Sequence, residues 1–474
     1  MIPVTASELL HAVHGTLLGD GPEDVSVTHV CYDTRELKEG DFFLPLQGAN
    51  FDGHSFIDQA LDLGAVGCFT MRPREEYRPG KVYIKVPDTA RVPRLLAQWY
   101  RSRFTIPFIA VTGSVGKTTT KNMVAAVLSE KFSVHKTPLN HNNTLGVPMA
   151  LLDLDKSHQF SVIEMGMNHV GEIDDLSDLV RPQVGIITNI GDAHIENLGS
   201  REGILKAKCE LFAHMAPDAP AILNGDDELL GALKDSLGRP VITCGVSPHN
   251  DYYVTDLDRD LLTDDLHCVL HTPNATFPVV IPAVGDYMVY PVLTAAAVAE
   301  HFGMTAQEIA RGILRYAPTK MRMNEVDRGH QVRILDDAYN ANPQSMRAAL
   351  QTLASTQREY KMAILGDMFE LGPMGPSLHS AVGRVAGELN ISCLVAIGEL
   401  SKHMAEAADA AQVPEVYWFA TKEEALSAIA KLVKPNAAIL VKASRGMKFE
   451  DVISYLTSIT PEKEPAASQE TAGG

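Results

Sequence analysis

The sequence has few cysteines, and they form no recognisable group. Six cysteines are scattered over 474 residues, without a CxxC pair or a zinc-binding spacing. This pattern excludes a disulfide-rich scaffold and predicts buried, reduced thiols. Long apolar runs are missing as well, since none approaches the roughly 20 residues that a membrane helix needs. We therefore expect no membrane span.

Positive charge is also scarce, with 41 lysines and arginines against 59 acidic residues and a formal net charge of -18. This balance argues against nucleic acid or an anionic membrane as the main partner. The opening stretch MIPVTASELLHAVHG has no basic segment followed by a long apolar one, so we do not expect a signal peptide. With 45% hydrophobic and 21% charged residues, the composition is typical of a globular enzyme, and we expect a cytoplasmic one.

Three zones follow one another along the chain. Residues 1–103 mix short strand-like runs with helices. From 104 to 320, apolar runs such as PFIAVTG alternate with helical patterns such as KTTTKNMVAAVLSEKF, and 252–284 resembles antiparallel hairpins. A second alternation of strand and helix occupies 321–460. These patterns predict an α/β protein with parallel sheets and a separate doubly wound C-terminal domain. The polar tail, 461–474, is expected to be disordered.

The stretch VTGSVGKTTTK, residues 111–121, lies between a predicted strand and a predicted helix. Its glycines allow backbone N–H groups to point at one anion, and the helix N-terminus adds partial positive charge. Lys117 can reach the β and γ phosphates of a nucleotide, and the Thr118 hydroxyl can ligate Mg²⁺. Val111 occupies the place of the first glycine in the longer pattern, so this is the shorter GxxGKT form. The alternative is an ordinary glycine-containing turn with a surface lysine. The predicted nucleotide-binding residues are Gly113, Ser114, Val115, Gly116, Lys117, Thr118 and Thr119.

Other polar residues follow neighbouring strands. Glu164 ends a probable strand, at the edge where parallel strands present ligand sites, and could hold magnesium. His194 lies just beyond the next strand. Lys206 and Lys208 follow on a predicted helix. Taken alone, these residues have alternative readings: Glu164 as a solvated loop carboxylate, His194 as a polar loop residue, and the two lysines as a solvated helix face.

Taken together, these residues resemble those of the Mur ligases. The resemblance covers nearly the whole chain and is carried by DTRELKEGDFFLPLQGANFDGHSFIDQALDLGA, TGSVGKTTTK, NHNNTLGVP, EMGMNHVGEI, TNIGDAHIENLGS, KAKCELF, DDAYNANPQSM, LGDMFELG and VKASRGM. The short phosphate loop is shared with a wider group that includes folylpolyglutamate synthases. EMGMNHVGEI and YNANPQSM are more specific and resemble the family members that add D-alanyl-D-alanine.

The resemblance implies three domains: one for a UDP-sugar substrate at 1–103, a central ATP-binding domain at 104–320, and a Rossmann-like domain at 321–460. It implies an ATP- and Mg²⁺-dependent ligase, expected to be a monomer. Such an enzyme would join D-alanyl-D-alanine to UDP-N-acetylmuramoyl-tripeptide in peptidoglycan precursor synthesis. The γ-phosphate would activate a substrate carboxylate as an acyl phosphate, which the amine of the dipeptide then attacks.

The resemblance also assigns roles to residues of this sequence. It implies that Lys117, His194 and Lys208 are catalytic, with Lys208 carrying a carbamate formed with CO₂. The implied magnesium ligands are Thr118, Glu164, His194 and Lys208. Contacts to ATP from the C-terminal domain are implied for Arg322 and Asp337, dipeptide positioning for Asn340, Asn342 and Ser345, and contacts to the uridine end for Thr34 and Arg35. For YNANP, a turn stabilised by asparagine side chains is the alternative.

One segment departs from the family pattern. A Gly-x-His-Asn-x-x-Asn run that helps to hold adenine is replaced by GDYMVYPVL, with Tyr287, Met288 and Pro291 at the usual polar positions. The adenine contacts are therefore open. Two alternatives to the dipeptide ligase also remain: a sibling ligase that adds a single amino acid, and a nucleotide-binding regulatory protein without catalysis.

Overall fold

The computed structural model describes residues 1–48, 51–73, 76–193, 195–260, 263–327 and 332–459. The chain divides into two compact units. The first unit comprises Met1–Thr112, Phe132–Gly185 and Cys209–Pro220. The second unit comprises Gly113–Lys131, Ile186–Lys208 and the chain from Ala221 onward. The predicted disordered tail, 461–474, lies outside the described residues.

Short strands and helices alternate in all three zones. The N-terminal elements are β1 Val4–Thr5, α1 Ala6–Ala12, β2 Thr16–Leu18, β3 Ser26–Val27, β4 Val30–Cys31, β5 Phe42–Phe43, α2 Ile57–Asp62, β6 Gly67–Thr70, β7 Val82–Lys85 and α3 Val92–Arg101. The central elements are β8 Phe108–Thr112, α4 Lys117–Leu128, β9 Val134–Lys136, α5 Gly146–Leu151, β10 Phe160–Glu164, α6 Glu172–Val180, β11 Val184–Ile187, α7 Ile195–Leu198, α8 Arg201–Cys209, β12 Ala221–Asn224, α9 Glu228–Gly231, β13 Val241–Cys244, β14 Tyr253–Arg259, β15 Leu266–His271, β16 Thr276–Ile281, α10 Val289–His301 and α11 Ala306–Leu314. The C-terminal elements are β17 Asn324–Asp327, β18 Val332–Asp336, α12 Pro343–Ser355, β19 Tyr360–Gly366, α13 Gly375–Glu388, β20 Cys393–Ile397, α14 Ser401–Ala410, β21 Glu415–Phe419, α15 Lys422–Leu432, β22 Ala437–Lys442 and α16 Glu450–Ile459.

The N-terminal zone of the first unit contains a five-stranded sheet in the order β2-β7-β6-β5-β4. Neighbours from β4 to β7 pair in parallel, and β2 pairs antiparallel at the edge. The side chains of Phe43, Cys68 and Tyr83 are buried against α2. Helix α1 begins at Thr5, whose hydroxyl accepts a hydrogen bond from the Glu8 backbone, while the Glu8 carboxylate accepts one from Thr5. This capping box fixes where the helix starts.

The first unit also contains β8, β9 and β10 of the central zone. Strand β10 pairs in parallel with both of the others, and its last residue, Glu164, is in register with Val111 of β8. Both strands are fully buried, as expected of parallel strands covered on two faces. Their carboxyl ends therefore lie side by side, as the sequence predicted for Glu164.

In the second unit, β12 and β13 pair in parallel, and β14, β15 and β16 form an antiparallel sheet with an irregularity between Thr255 and Asp258. The hairpins predicted for 252–284 are thus confirmed. Helix α4 packs against α10 and α11. Gly312 of α11 allows this approach, because a Cβ there would lie 2.6 Å from the Val127 Cα.

The C-terminal zone, also in the second unit, is a six-stranded sheet in the order β17-β18-β22-β19-β20-β21. Its strands are parallel except for the edge strand β17. Separate apolar clusters cover the two faces, one including α12 and α13 and the other α15 and α16. The predicted doubly wound α/β domain is confirmed.

Two predicted absences can be compared with the structure. No disulfide joins the six cysteines, all of which lie among the described residues; five are buried and Cys209 is partly exposed. Among the described residues, no helix combines the length and the apolar character that crossing a bilayer requires.

Candidate functional site

The phosphate loop, residues 113–119, begins directly after β8. Gly113 has φ of 146°, and a Cβ there would lie 1.9 Å from the Thr188 hydroxyl oxygen. Gly116 has φ of 83° and is the N-cap of α4. Both positions therefore require glycine, the first for space and conformation and the second for its left-handed backbone. The helix that follows has its N-terminus at Lys117, as the phosphate-loop prediction requires.

Residues after β11 hold this loop in place. The backbone N–H groups of Ser114 and Val115 donate to the carbonyl and side-chain oxygens of Asn189, at 3.0 and 2.9 Å. The Thr188 hydroxyl donates to the Val115 carbonyl at 2.6 Å, and the Gly191 N–H donates to the Ser114 hydroxyl oxygen at 2.9 Å. These four hydrogen bonds fix the shape of the loop through groups of the protein itself. Sequence analysis assigned no role to Thr188 and Asn189, although their position just past a parallel strand was a signal.

The Lys117 side chain points back along the phosphate loop. The Lys117 ammonium group donates to the Gly113 carbonyl at 2.8 Å, so it lies over the loop and not out in solvent. Thr118 is buried. The Thr119 hydroxyl bonds to the hydroxyl of Tyr316, and burial raises the pKa of Tyr316 to about 12. The phenol is therefore neutral near pH 7.

The two lysines of α8 differ sharply. Lys206 is exposed, whereas Lys208 is 2% exposed. The pKa of Lys208 is lowered well below its usual value, mainly by burial and to a smaller extent by the nearby positive charge of Lys117. Burial and a like charge both favour the neutral amine. The sequence-based preference for Lys208 over Lys206 agrees with this geometry, although the role itself stays a prediction.

Glu164 lies in the first unit and is 1% exposed. One carboxylate oxygen accepts a hydrogen bond from the Asn142 side chain at 2.8 Å, and its backbone N–H donates to the Thr137 hydroxyl at 2.9 Å. The reading of Glu164 as a solvated loop carboxylate is therefore wrong. Its role as a magnesium ligand stays a prediction. His194, the other predicted ligand after a strand, lies outside the described residues.

Predicted ATP contacts of the C-terminal domain form a compact group. The Asp337 carboxylate accepts from the Lys442 ammonium group at 2.5 Å and from the Met323 backbone N–H at 3.1 Å. The guanidinium carbon of Arg322 lies 3.9 Å from the centre of the Tyr339 ring, within the range of a cation–π contact. Lys442 itself is 3% exposed. Lys442 lies in the stretch VKASRGM, which carries part of the family resemblance, but it was not among the site residues predicted from the sequence.

The predicted dipeptide-positioning residues start α12. The Asn342 side chain accepts from the Ser345 backbone N–H at 2.8 Å, and the Ser345 hydroxyl accepts from the Asn342 N–H at 3.0 Å. This is a capping box, followed by Pro343 in the first turn. Asn340 is exposed, and its side-chain oxygen accepts from the Ala341 N–H at 2.9 Å. The alternative reading, a turn stabilised by asparagine side chains, therefore accounts for the local structure.

The remaining predictions fall in two places. In the first unit, Thr34 is half-buried, while the Arg35 side chain is 86% exposed and forms an ion pair with Asp33. The hydrogen bond from Arg35 lowers the pKa of Asp33 to about 2.

In the second unit, Tyr287 packs against the C-terminal core, and burial raises its pKa well above the usual value. The nearby residues Met288 and Pro291 are buried, so this segment presents apolar surface where family members have polar groups.

Comparison with known proteins gives matches along almost the entire chain. Models described as "Mur ligase family, catalytic domain", "Mur ligase middle domain" and "Mur ligase, glutamate ligase domain" match residues 26–101, 111–299 and 321–445. The UDP-N-acetylmuramoyl-tripeptide–D-alanyl-D-alanine ligase of Synechocystis sp. is 39% identical over 440 residues, which cover 93% of this chain and 94% of that protein.

The chain belongs to the Mur ligase family. Its three-domain α/β architecture is that of the Mur ligases, as the sequence predicted, while the boundaries between domains stay predictions. Among solved structures, MurF from Acinetobacter baumannii has a TM-score of 0.87 at 33% identity, covering 96% of this chain and 99% of that one. MurF from Thermotoga maritima, solved in complex with ADP, has a TM-score of 0.79 at 25% identity, covering 92% and 98%.

Proposed function

We propose that this Mur ligase uses ATP to join D-alanyl-D-alanine to UDP-N-acetylmuramoyl-tripeptide. The observation that carries the proposal is the phosphate loop, which is fixed by Thr188 and Asn189 and followed by Lys117 at the N-terminus of α4. Since the Ser114 and Val115 N–H groups are engaged by Asn189, the N–H groups at the N-terminus of α4 and the Lys117 side chain are the groups that would favour a bound polyphosphate. The Synechocystis relative, which carries this reaction in its name, matches 93% of the chain, and one related structure contains ADP.

The chemistry needs two transfers. An oxygen of the tripeptide carboxylate attacks the γ-phosphorus of ATP, and the bond to ADP breaks to give an acyl phosphate. The dipeptide amine then attacks the acyl carbon, phosphate leaves, and the nitrogen loses a proton. Lys117 is proposed to hold the transferred phosphoryl group, because catalysis of this transfer depends mainly on positioning and charge neutralisation.

Arg322 and Asp337 are proposed to contact ATP from the C-terminal domain. Arg322 stacks on Tyr339, and Asp337 is held by Lys442. Both side chains are therefore oriented by contacts within the protein. In the first unit, Thr34 and Arg35 are proposed to contact the uridine end of the sugar substrate. Asn340, Asn342 and Ser345 are proposed to position the segment that meets the dipeptide, through the cap of α12.

Magnesium is a proposed cofactor, and the donor types fit it. The Thr118 hydroxyl and the Glu164 carboxylate are buried oxygen donors, which hard cations prefer. His194 is retained as a third predicted ligand. When bound, magnesium would neutralise phosphate charge. The ammonium form of Lys208 does not fit as a ligand, because it has no lone pair to offer a cation.

A carbamate at Lys208 would change that. The comparisons lend it no support, and the proposal rests on the surroundings of the side chain. Carbamate formation requires the neutral amine, which the burial of Lys208 and the charge of Lys117 both favour. The carbamate would place an anion beside the positive charge of Lys117. A monomeric state and a cytoplasmic location complete the proposal.

Phosphate release tests the reaction. We expect release from ATP to require both UDP-N-acetylmuramoyl-tripeptide and D-alanyl-D-alanine. Equal release with a free amino acid in place of the dipeptide would favour a sibling ligase that adds one residue. No release under any of these conditions would favour the regulatory alternative.

Chemical rescue tests the carbamate. We expect Lys208→Ala to lose most activity and a short carboxylic acid at high concentration to restore part of it, since the acid can take the place of the carbamate. Lys206→Ala is the matched control on the exposed side of α8 and should not respond. Near-full activity of Lys208→Ala would contradict the assignment, while the proposed ligase reaction would stand.

A further inference from the structure

A cavity in the second unit adjoins the segment that holds the phosphate loop. Its volume is about 410 Å³, and it lies between residues 190–192, which follow β11, and helices α12 and α13. One wall is apolar, formed by Leu378, Ala381, Val382 and Val385 of α13. Val382 and Val385 also belong to the C-terminal core, so this wall is rigid. The start of α12, which is proposed to position the segment that meets the dipeptide, also borders this cavity through Pro343 and Gln344.

Charged side chains of both signs line the rest of the cavity. Arg347 projects from α12 and is exposed. Arg201, from α8, donates to the Ile190 carbonyl at 3.0 Å and so is tied to the same segment. Asp192 adds one carboxylate. A small zwitterion with apolar side groups matches this combination of two cations, one anion and an aliphatic wall.

The orientation of such a ligand follows from Gly191. Its N–H donates to the Ser114 hydroxyl of the phosphate loop at 2.9 Å, and its neighbour Asp192 is therefore at the loop end of the cavity. A Cβ at Gly191 would lie 2.1 Å from the Gln344 side-chain oxygen, so α12 packs directly against this segment. An ammonium or amine group beside Asp192 would face the loop, and a carboxylate would face Arg347.

We propose that this cavity binds the acceptor dipeptide, with its carboxylate at Arg347, its amine end toward Asp192, and its methyl groups against α13. The inference rests on the proposed function and deepens it by locating the second substrate. The amine must approach the acyl phosphate, and the loop end of the cavity is the end at which phosphate is held. Arg347 is then a specificity-determining residue, because it selects an acceptor with a free carboxylate.

The test compares two acceptors, D-alanyl-D-alanine and D-alanyl-D-alanine amide, which lacks the carboxylate. In the parent enzyme, we expect the amide to have a KM higher by at least about tenfold, the scale of a lost charge-assisted hydrogen bond. Arg347→Ala should raise the KM for the dipeptide by a similar factor and should no longer distinguish the two acceptors. The KM values for ATP and the tripeptide substrate should not change.

Two further variants complete the design. Arg384→Ala removes an exposed arginine of α13 that is not part of the cavity lining and should leave the KM for both acceptors unchanged. Ala381→Phe fills the cavity from its apolar wall and should raise the KM for the dipeptide, with a melting temperature close to that of the parent.

The outcomes separate the two claims. Parent enzyme that turns over the dipeptide, with Arg347→Ala discriminating against the amide as before, would overturn the cavity assignment and leave the proposed function intact. A raised KM for the tripeptide instead would place the other substrate here and also overturn it. Parent enzyme without dipeptide-dependent phosphate release would overturn the proposed function together with the inference.

Discussion

Two buried lysines of the second unit, Lys208 and Lys442, have neighbours of opposite charge. Near the phosphate loop, Lys208 is buried beside the positive charge of Lys117. At the end of β22, Lys442 is equally buried, but it donates to the Asp337 carboxylate and to the Asn340 carbonyl. The C-terminal group is electrically complete within the protein. The phosphate-loop group instead places Lys208 beside the positive charge of Lys117, an arrangement that suits a site whose anion arrives with the substrate.

The largest expected effect is a loss of turnover when the cation of the phosphate loop is removed. Lys117→Ala removes the cation that lies over the loop, and turnover should fall by at least about a hundredfold, the scale for one preorganised electrostatic group. Steady-state phosphate release measures this loss, and the melting temperature verifies the fold. Lys206→Ala is the control. Turnover within a few-fold of the parent in a folded Lys117→Ala variant would contradict the assignment of the loop.

The next largest effect is a loss of stability when the ion pair between Lys442 and Asp337 is removed. Lys442→Met leaves Asp337 without its cation, and the free energy of unfolding should fall by about 2 kcal/mol, less than for a fully buried pair because Asp337 is partly exposed. Denaturant unfolding measures the change. The double variant Lys442→Met/Asp337→Asn should recover part of the loss, because no unpaired charge remains. Equal losses in the single and double variants would show that packing dominates.

A third prediction uses pH to distinguish the two lysines. The folded state lowers the pKa of Lys208, so between that pKa and about 10.4 the unfolded chain binds more protons. The free energy of unfolding should therefore rise with pH in this window, by at most about 1.4 kcal/mol per pH unit for one proton. In bicarbonate-free buffer, Lys208→Met should lose this rise, whereas Lys206→Met should keep it. Identical pH profiles for the two variants would contradict the lowered pKa.

The smallest effect concerns the start of α12. Asn342→Ala removes the N-cap and should cost about 1 kcal/mol of unfolding free energy, whereas Asn342→Asp should cost little because aspartate also caps helices. Thermal or denaturant unfolding of both variants measures this. If Asn342→Asp keeps its stability but raises the KM for the dipeptide, the side chain contacts substrate in addition to capping the helix.

Much of the fold could be predicted from the sequence because the strands are buried on both faces and the helices have clear ends. The alternation of strand and helix predicted for the C-terminal zone includes α12, Pro343–Ser355. The cap at its start could also have been found, since asparagine followed by proline, with serine three residues after the cap, is a helix-start signal. The sequence instead suggested either contacts to the acceptor or a turn stabilised by asparagine side chains for those residues.

The candidate site was harder to predict where a residue's role depends on whether its side chain points into the protein or into solvent. Residues two apart on a helix point to nearly opposite sides. The spacing of Lys206 and Lys208 therefore predicts that one side chain is buried and the other exposed, but not which of the two is buried. In the structure, Lys208 is the buried one. Likewise, Lys442 looks like the last residue of an apolar strand, and only the packing of β18 beside β22 brings it to Asp337. Such pairings join residues about a hundred positions apart, which local patterns do not reveal.

The hydrogen bonds from Thr188 and Asn189 to the phosphate loop have a thermodynamic consequence. A loop that is already ordered loses little conformational entropy when nucleotide binds, because that entropy was lost during folding. Nucleotide binding should therefore have a small heat-capacity change, of the size expected for the contact surface alone. Asn189→Ala would move the ordering of the loop from folding to binding, and calorimetry should then record a more unfavourable binding entropy for the same nucleotide.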